Sequence, residues 1–224
     1  MTEAKTYLNE EDFRKGTLET VVPSLKALDR EMGADAWIVT FAPIRIIAAG
    51  GFLSVSYLKN RDSTGDIDYL LDPEVSDNDD LQSSLHQTIR TVARKMDYNH
   101  KWINEDMAIF VTKRSRETLF EQAAKQGITL FRGNNLEILA APLEWALERK
   151  LRRIHAADRG RKTECDVVDA LALLRELRVR NAGPLDEEEV RKMNVNGFDV
   201  LPGCETMQRV RREYRFMYNE EIFS

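Results

Sequence analysis

Cysteine is nearly missing from this chain of 224 residues: Cys165 and Cys204 are its only two. Two isolated thiols exclude a disulfide scaffold and a cysteine-built zinc cluster, and they suit a reducing, cytoplasmic location. Long apolar runs are missing too. The longest, from Ile44 to Val55, is interrupted by Arg45, a glycine pair and Ser54. It falls short of the ~20 residues of a membrane span, so no bilayer crossing is expected. Only 11 glycines and 6 prolines rule out collagen-like or low-complexity chemistry. The start, Met1 to Lys5, lacks a basic stretch followed by an apolar one, and no secretory signal is expected there. Neither sign of charge dominates: 33 Lys and Arg stand against 38 Asp and Glu, a net charge of −5. That balance argues against bulk nucleic-acid binding and leaves local basic patches open. What is present is 42% hydrophobic residues, enough for a large core and too many for a disordered chain.

Periodicity predicts the elements. Leu18, Val21, Val22, Leu25, Leu28 and Met32 mark a helix face over 17–32, with Pro23 in its first turn or breaking it. The apolar stretch from Ala36 to Ala42, and then Arg45 to Ala49 after Pro43, reads as a buried strand closing in the tight turn Gly50-Gly51. A short helix follows over Phe52 to Lys59. Asp66 to Leu71 reads as a strand ending at Pro73, and Leu81, Leu85, Ile89, Val92, Ala93 and Met96 as a helix capped by Asp77, Asn78 or Asp79. Residues 97–114 read as irregular, with Met107 to Val111 a strand or a helix end. A helix closed by Gly127, a hairpin over 128–139, a helix over about 142–155, and a helix after it with Val167, Ala170, Leu171, Leu174 and Leu177 on one face complete the pattern. The expected fold is α/β or α+β: a small mixed sheet flanked by helices, with a helical C-terminal region. The chain divides into an N-terminal helical segment (1–33), a core (34–141), a helical part packed on it (142–180) and a tail with short helices (181–224).

The segment with chemical content is Ile46-Ile47-Ala48-Ala49-Gly50-Gly51-Phe52-Leu53-Ser54, followed by Arg61-Asp62-Ser63-Thr64-Gly65-Asp66-Ile67-Asp68. Alternate residues of a strand face the same way, so Asp66 and Asp68 project together at ~7 Å spacing, close enough to share metal ions ~4 Å apart. Mg²⁺ favours carboxylate oxygens and completes its shell with water and phosphates, which makes a nucleoside triphosphate the natural partner. A glycine pair lets backbone approach a phosphate, and the amides opening the next helix point at it, with Ser54 in reach.

In these motifs the chain resembles the polymerase-beta-like nucleotidyltransferase superfamily, whose hallmark is a Gly-Gly or Gly-Ser turn followed by a strand bearing Asp-x-Asp. The wording Arg61-x-Ser63-Thr64-x-Asp66-Ile67-Asp68, the segment Trp102-Ile103-Asn104, and the strand and helix from Leu136 to Leu151 look like its small antitoxin and abortive-infection-toxin type branch. The resemblance spans about Trp37 to Leu177. It implies a sheet of nucleotidyltransferase type, with Gly50, Gly51, Ser54, Arg61 and Ser63 on the nucleotide and Asp66 and Asp68 on one or two Mg²⁺ ions. It implies a third, catalytic carboxylate on a neighbouring strand, for which Glu137 is the first choice and Asp106 the rival. The expected activity is Mg²⁺-dependent transfer of a nucleoside monophosphate from an NTP to a hydroxyl of a protein, an RNA or a small molecule. If the third carboxylate is absent, the expectation becomes a catalytically inactive protein of this fold that binds a nucleotide, RNA or protein partner.

Lys150 stands apart, because at ~100° per residue from Leu143 it falls in the middle of the apolar face of its helix. It reads either as an ammonium that steadies a triphosphate or as a lysine snorkelling at the rim of the core. Arg149, Arg152, Arg153, Arg159, Arg161 and Lys162 form one basic run, and Arg209, Arg211, Arg212 and Arg215 another. Each is a solvated helix face by default and an RNA-binding surface as the alternative. Asp166 and Asp169, within pairing reach of Arg161 or Lys162, read as structural rather than catalytic. His86, His100, His155 and the three tryptophans read as surface or packing residues.

Overall fold

A computed structural model describes residues 18–156, 161–197 and 200–224. The chain forms two compact units, divided after Ala141. The first opens with α1 (Leu18–Met32) and α2 (Ala36–Phe41), then β1 (Ile44–Ala48). The four-residue helix α3 (Gly50–Leu53) runs directly into a π-helical turn over Ser54–Leu58. There follow β2 (Ile67–Leu71), α4 (Asp79–Met96), β3 (Ile103–Asn104), a 3₁₀ turn (Asp106–Phe110), α5 (Lys113–Gln126), β4 (Thr129–Arg132) and β5 (Leu136–Ala140).

The strands make one five-stranded mixed sheet in the order β3-β2-β1-β5-β4. Strand β1 is antiparallel to β2 and parallel to β5, while β3 is parallel to β2. One face carries Ile44, Ile46 and Ala48 of β1, Ile67, Tyr69 and Leu71 of β2, and Leu136 and Ile138 of β5. These pack with Val21, Leu25, Leu28 and Met32 of α1 and with Leu81, Leu85, Ile89 and Val92 of α4 in a single core cluster. At ~1.5–3 kcal/mol for each large side chain fully buried, this face supplies the main driving force of the unit. On the opposite face, Ile47, Leu70 and Leu139 are buried as well, and Arg45, Asp68 and Glu137 share that face by strand alternation. The Asp29 carboxylate of α1 accepts from the backbone N–H groups of Asn134, Asn135 and Leu136 and fixes the β4–β5 turn to the helix.

Most elements fall where periodicity places them, and Asn78 is the residue that caps α4, accepting from the Leu81 N–H. The stretch Ala36 to Ala42 does not. It forms the helix α2 because the Asp35 carboxylate accepts from the Trp37 and Ile38 N–H groups, a side-chain cap that favours a helical turn. Of its apolar residues only Ile38 is buried, while Trp37 and Val39 are about half exposed. Helix α1 runs through Pro23, so this proline neither ends nor breaks it. Residues 106–110 are a 3₁₀ turn, neither a strand nor a helix end.

The second unit holds α6 (Leu143–Ala156), α7 (Arg161–Arg180), α8 (Glu187–Lys192) and α9 (Cys204–Tyr218). Helices α6 and α7 pack along each other, and α9 packs on both. Leu143, Leu147, Leu151 and Ile154 of α6 and Val167, Ala170, Leu171 and Leu174 of α7 are buried, as the sequence pattern requires. The C-terminal residues return to this unit, with Ser224 N–H donating to Leu185 O and Leu185 N–H donating to Ile222 O. Among the described residues no helix is long and apolar enough to cross a membrane.

Candidate nucleotide site

The glycine turn and the aspartate strand meet because β1 and β2 are neighbours. Their register pairs Ala48 with Tyr69, and one step further the Ala49 N–H donates to the Asp68 carbonyl at 3.2 Å. Gly50 comes next, with φ +65°. A side chain there is strained by its own backbone, and an added Cβ would lie 3.0 Å from Asp68 Oδ2. Gly50 is therefore glycine for two reasons: its backbone conformation and the close approach of the Asp68 carboxylate. Gly51 is packed by the Thr64 side chain, whose hydroxyl donates to the Asp66 carbonyl at 2.9 Å. Gly50 thus meets Asp68 directly and Gly51 is linked to Asp66 through Thr64, and both aspartates are half-buried residues.

The other residues expected on the nucleotide divide. Arg61 and Ser63 lie half-buried in the loop leading into β2. Ser54 sits at the join of α3 and the π-helical turn, 1% exposed, and its hydroxyl donates to the Gly50 carbonyl at 3.2 Å. Its hydrogen is directed at backbone, which places Ser54 as a brace of the glycine turn.

Glu137, the first choice for the third carboxylate, is not brought to this end of the sheet. Glu137 pairs in register with Arg45, three residues before Ala140, the partner of Ala48. At ~3.3 Å per residue and ~4.8 Å per strand, that puts its backbone well over 10 Å from Asp68. Its carboxylate is held by Arg132, with Arg132 Nε at 2.8 Å. Glu137 therefore belongs to the β4–β5 hairpin. Asp106 is exposed and paired with Lys101 at 2.8 Å. The residue in register with Asp68 on the neighbouring strand is Asn104. Nothing local in the sequence flags it, because the pairing joins segments more than thirty residues apart.

Strand β3 is anchored by its neighbour Trp102. The indole is 1% exposed, lies 5.8 Å from the Tyr98 ring, and donates from Nε1 to the Ile89 carbonyl at 3.4 Å. The Trp102 carbonyl accepts from the Ile67 N–H and so fixes the start of β2. Beyond Asn104 the pairing to β2 is continued by side chains. Glu105 Oε1 accepts from the Leu71 N–H at 3.1 Å and from Arg116 at 2.9 Å, and Arg116 also donates to the Leu71 carbonyl at 3.2 Å. Burial first, and the Glu105 charge second, push the Tyr69 hydroxyl well above its ordinary pKa, so it is a neutral core residue.

The donor set at Asp66 and Asp68 is all oxygen, and Asp68 Oδ2 lies 3.0 Å from where a Cβ on Gly50 would stand. That fits a hard cation such as Mg²⁺, which takes one or two carboxylates and completes its shell from water and phosphate. Among the described residues no group of three or more His, Cys, Asp or Glu is placed to hold a metal ion together.

Lys150 belongs to the second unit. It is 5% exposed, as its position on the apolar face of α6 foretells, and its ammonium lies 2.8 Å from Asp166 and 2.5 Å from Asp169. Arg153 adds two bonds to Asp166 at 3.1 Å. These two aspartates thus pair with α6 cations, while the Arg161 side chain lies outside the described residues. Several members of the basic runs are also paired. Arg152 bonds Glu148, Arg209 bonds Glu164 and Glu213, Arg211 bonds Glu187, and Arg215 bonds Glu221. Arg159 lies outside the described residues. Comparison of the chain with models of protein families, with curated proteins and with solved structures finds no match.

Proposed function

We propose that this chain is a nucleotidyltransferase-like protein. It binds an NTP with Mg²⁺ at Gly50, Gly51, Asp66 and Asp68 and transfers the nucleoside monophosphate to a hydroxyl acceptor. The observation that carries the reading is the Asp68 carboxylate lying against the positive-φ backbone of Gly50. One strand end then offers acidic oxygens to a cation and, directly beside them, bare backbone to a phosphate. In such a site Asp66 and Asp68 hold the cation, whose chemistry is to neutralise charge on the phosphate oxygens. Gly50 and Gly51 let the chain approach the triphosphate without side-chain obstruction. Ser54 keeps the glycine turn in shape through the Gly50 carbonyl. In the reaction, the acceptor oxygen bonds to the α-phosphorus, the bond from that phosphorus to the bridging oxygen breaks, pyrophosphate leaves, and the hydroxyl proton passes to water. Lys150, paired with Asp166 and Asp169, has no role in this proposal.

A second reading is favoured by one observation: an amide, Asn104, stands in register with Asp68. An amide does not accept the acceptor's proton, and on this reading the chain binds nucleotide without turnover. Incubation with α-labelled NTPs, Mg²⁺ and either protein or RNA from a cell extract separates the two. Label transferred by the wild type and lost in Asp66→Asn/Asp68→Asn supports transfer. Nucleotide binding with no labelled acceptor supports the second reading, and no binding at all overturns both.

A further inference from the structure

Parallel pairing of β2 with β3 sets Asn104 beside Asp68 on one face of the sheet, at the ~4.8 Å spacing of neighbouring strands. The amide is held by two local bonds. Its Nδ2 donates to the Lys101 carbonyl at 3.1 Å, and its Oδ1 accepts from the Asp106 N–H at 3.0 Å. A carboxylate reproduces the second bond but has no hydrogen for the first. The 101–106 turn is therefore built for an amide, and the position nearest Asp68 across the sheet is neutral.

That neutrality bears on charge balance. Two divalent ions ~4 Å apart repel each other strongly and need surrounding anionic oxygens to hold them together. Asp66 and Asp68 bring two negative charges. The acids that follow Asn104 are engaged elsewhere, Glu105 by Arg116 and Asp106 by Lys101. No third acidic, histidine or cysteine side chain among the described residues joins a metal-binding group.

We infer that the site takes one divalent cation per chain rather than two, and that Asn104 is the residue that fixes this number. The inference rests on the nucleotide reading proposed above and extends it to the metal content of the same site. One ion is held between Asp66, Asp68 and the phosphates. A carboxylate at position 104 supplies the charge that a second ion needs.

The test counts Mn²⁺ bound to the full chain by the spin-resonance signal of the free ion. It is made with saturating α,β-methylene analogues of the four NTPs, after the ion carried by free nucleotide is subtracted. The wild type is expected to saturate at one ion per chain, and Asn104→Asp at two, with the analogue bound equally by both. Because Asn104→Asp loses the bond to the Lys101 carbonyl, Asn104→Glu, with a longer reach, is the companion variant and is expected to behave alike. Two ions in the wild type overturn the inference and leave the nucleotide reading standing. One ion in both variants, with the analogue still bound, overturns the role of Asn104. The wild-type count decides the number of ions whatever the stability of the variants. A wild type that binds neither analogue nor nucleotide-dependent Mn²⁺ fails at the earlier step, the nucleotide reading itself.

Discussion

The two units each hold a pair of aspartates, and they treat them in opposite ways. In the helical unit, Asp166 and Asp169 are 5% and 0% exposed and are matched by the ammonium of Lys150 and the guanidinium of Arg153. The group is sealed and neutralised. Burying charge is costly unless partners and geometry are nearly complete, and here they are. In the sheet unit, Asp66 and Asp68 are half-buried at a strand end, and Asp68 faces a glycine whose Cβ is missing where its oxygen comes close. The difference teaches how to tell a structural ion group from a candidate site. The first is fully buried and matched by cations of the adjacent helix, while the second is half-buried and lies against glycine backbone.

The comparison is broken most directly at Lys150. Lys150→Met removes the ammonium that Asp166 and Asp169 share in a buried place, and is expected to cost about 3 kcal/mol of stability, read by urea unfolding. Replacing Asp66 and Asp68 by Asn is expected to cost less than Lys150→Met, because both residues are only half-buried, while the stabilisation by Mg²⁺ and nucleotide disappears. A destabilisation as large as that of Lys150→Met would show that the two pairs are alike after all. Gly50→Ala tests the backbone half of the site. The φ of +65° and the close Asp68 oxygen predict a loss of about 1–2 kcal/mol and a weakened nucleotide response. The smallest effect belongs to an exposed pair. Glu188 is held down to about 2, first by its hydrogen bond to Arg191 and then by Lys192. Its ordinary value is 4.5, so its contribution is complete above that pH and is lost as the pH falls through about 2. A carboxyl-carbon NMR titration of Glu188 checks the midpoint, and solvent screening keeps the consequence for stability slight.

What is legible in the sequence is what local pattern encodes. The alternation of Asp66, Ile67, Asp68 and Tyr69 fixes which side chains face the core. The 3.6 period of α6 puts Lys150 inside. The Gly50-Gly51 turn declares itself by composition. Pairing over distance is not encoded in this way. That Asp68 meets Asn104, that Glu137 stands opposite Arg45, and that Lys150 finds Asp166 and Asp169 are matters of register and packing between separate segments. Glu137 has the right apolar neighbours for a catalytic strand residue, but its place three residues short of the Ala48–Ala140 level takes it away from Asp68. The misreading of Ala36 to Ala42 has a different origin. A run of β-branched and aromatic residues outweighs the one local signal to the contrary, the Asp35 cap.

Asp66 and Asp68 are proposed to hold a Mg²⁺-nucleotide. Melting of the wild type and of Asp66→Asn/Asp68→Asn, with each NTP and with and without Mg²⁺, tests it without knowledge of the acceptor. A ligand at about 100 times its Kd adds ~2.7 kcal/mol, a rise of several degrees for a chain of this size. That rise is expected for at least one NTP in the wild type, only with Mg²⁺, and none in the double variant. The same rise in the double variant, or no rise with any NTP in the wild type, would contradict it.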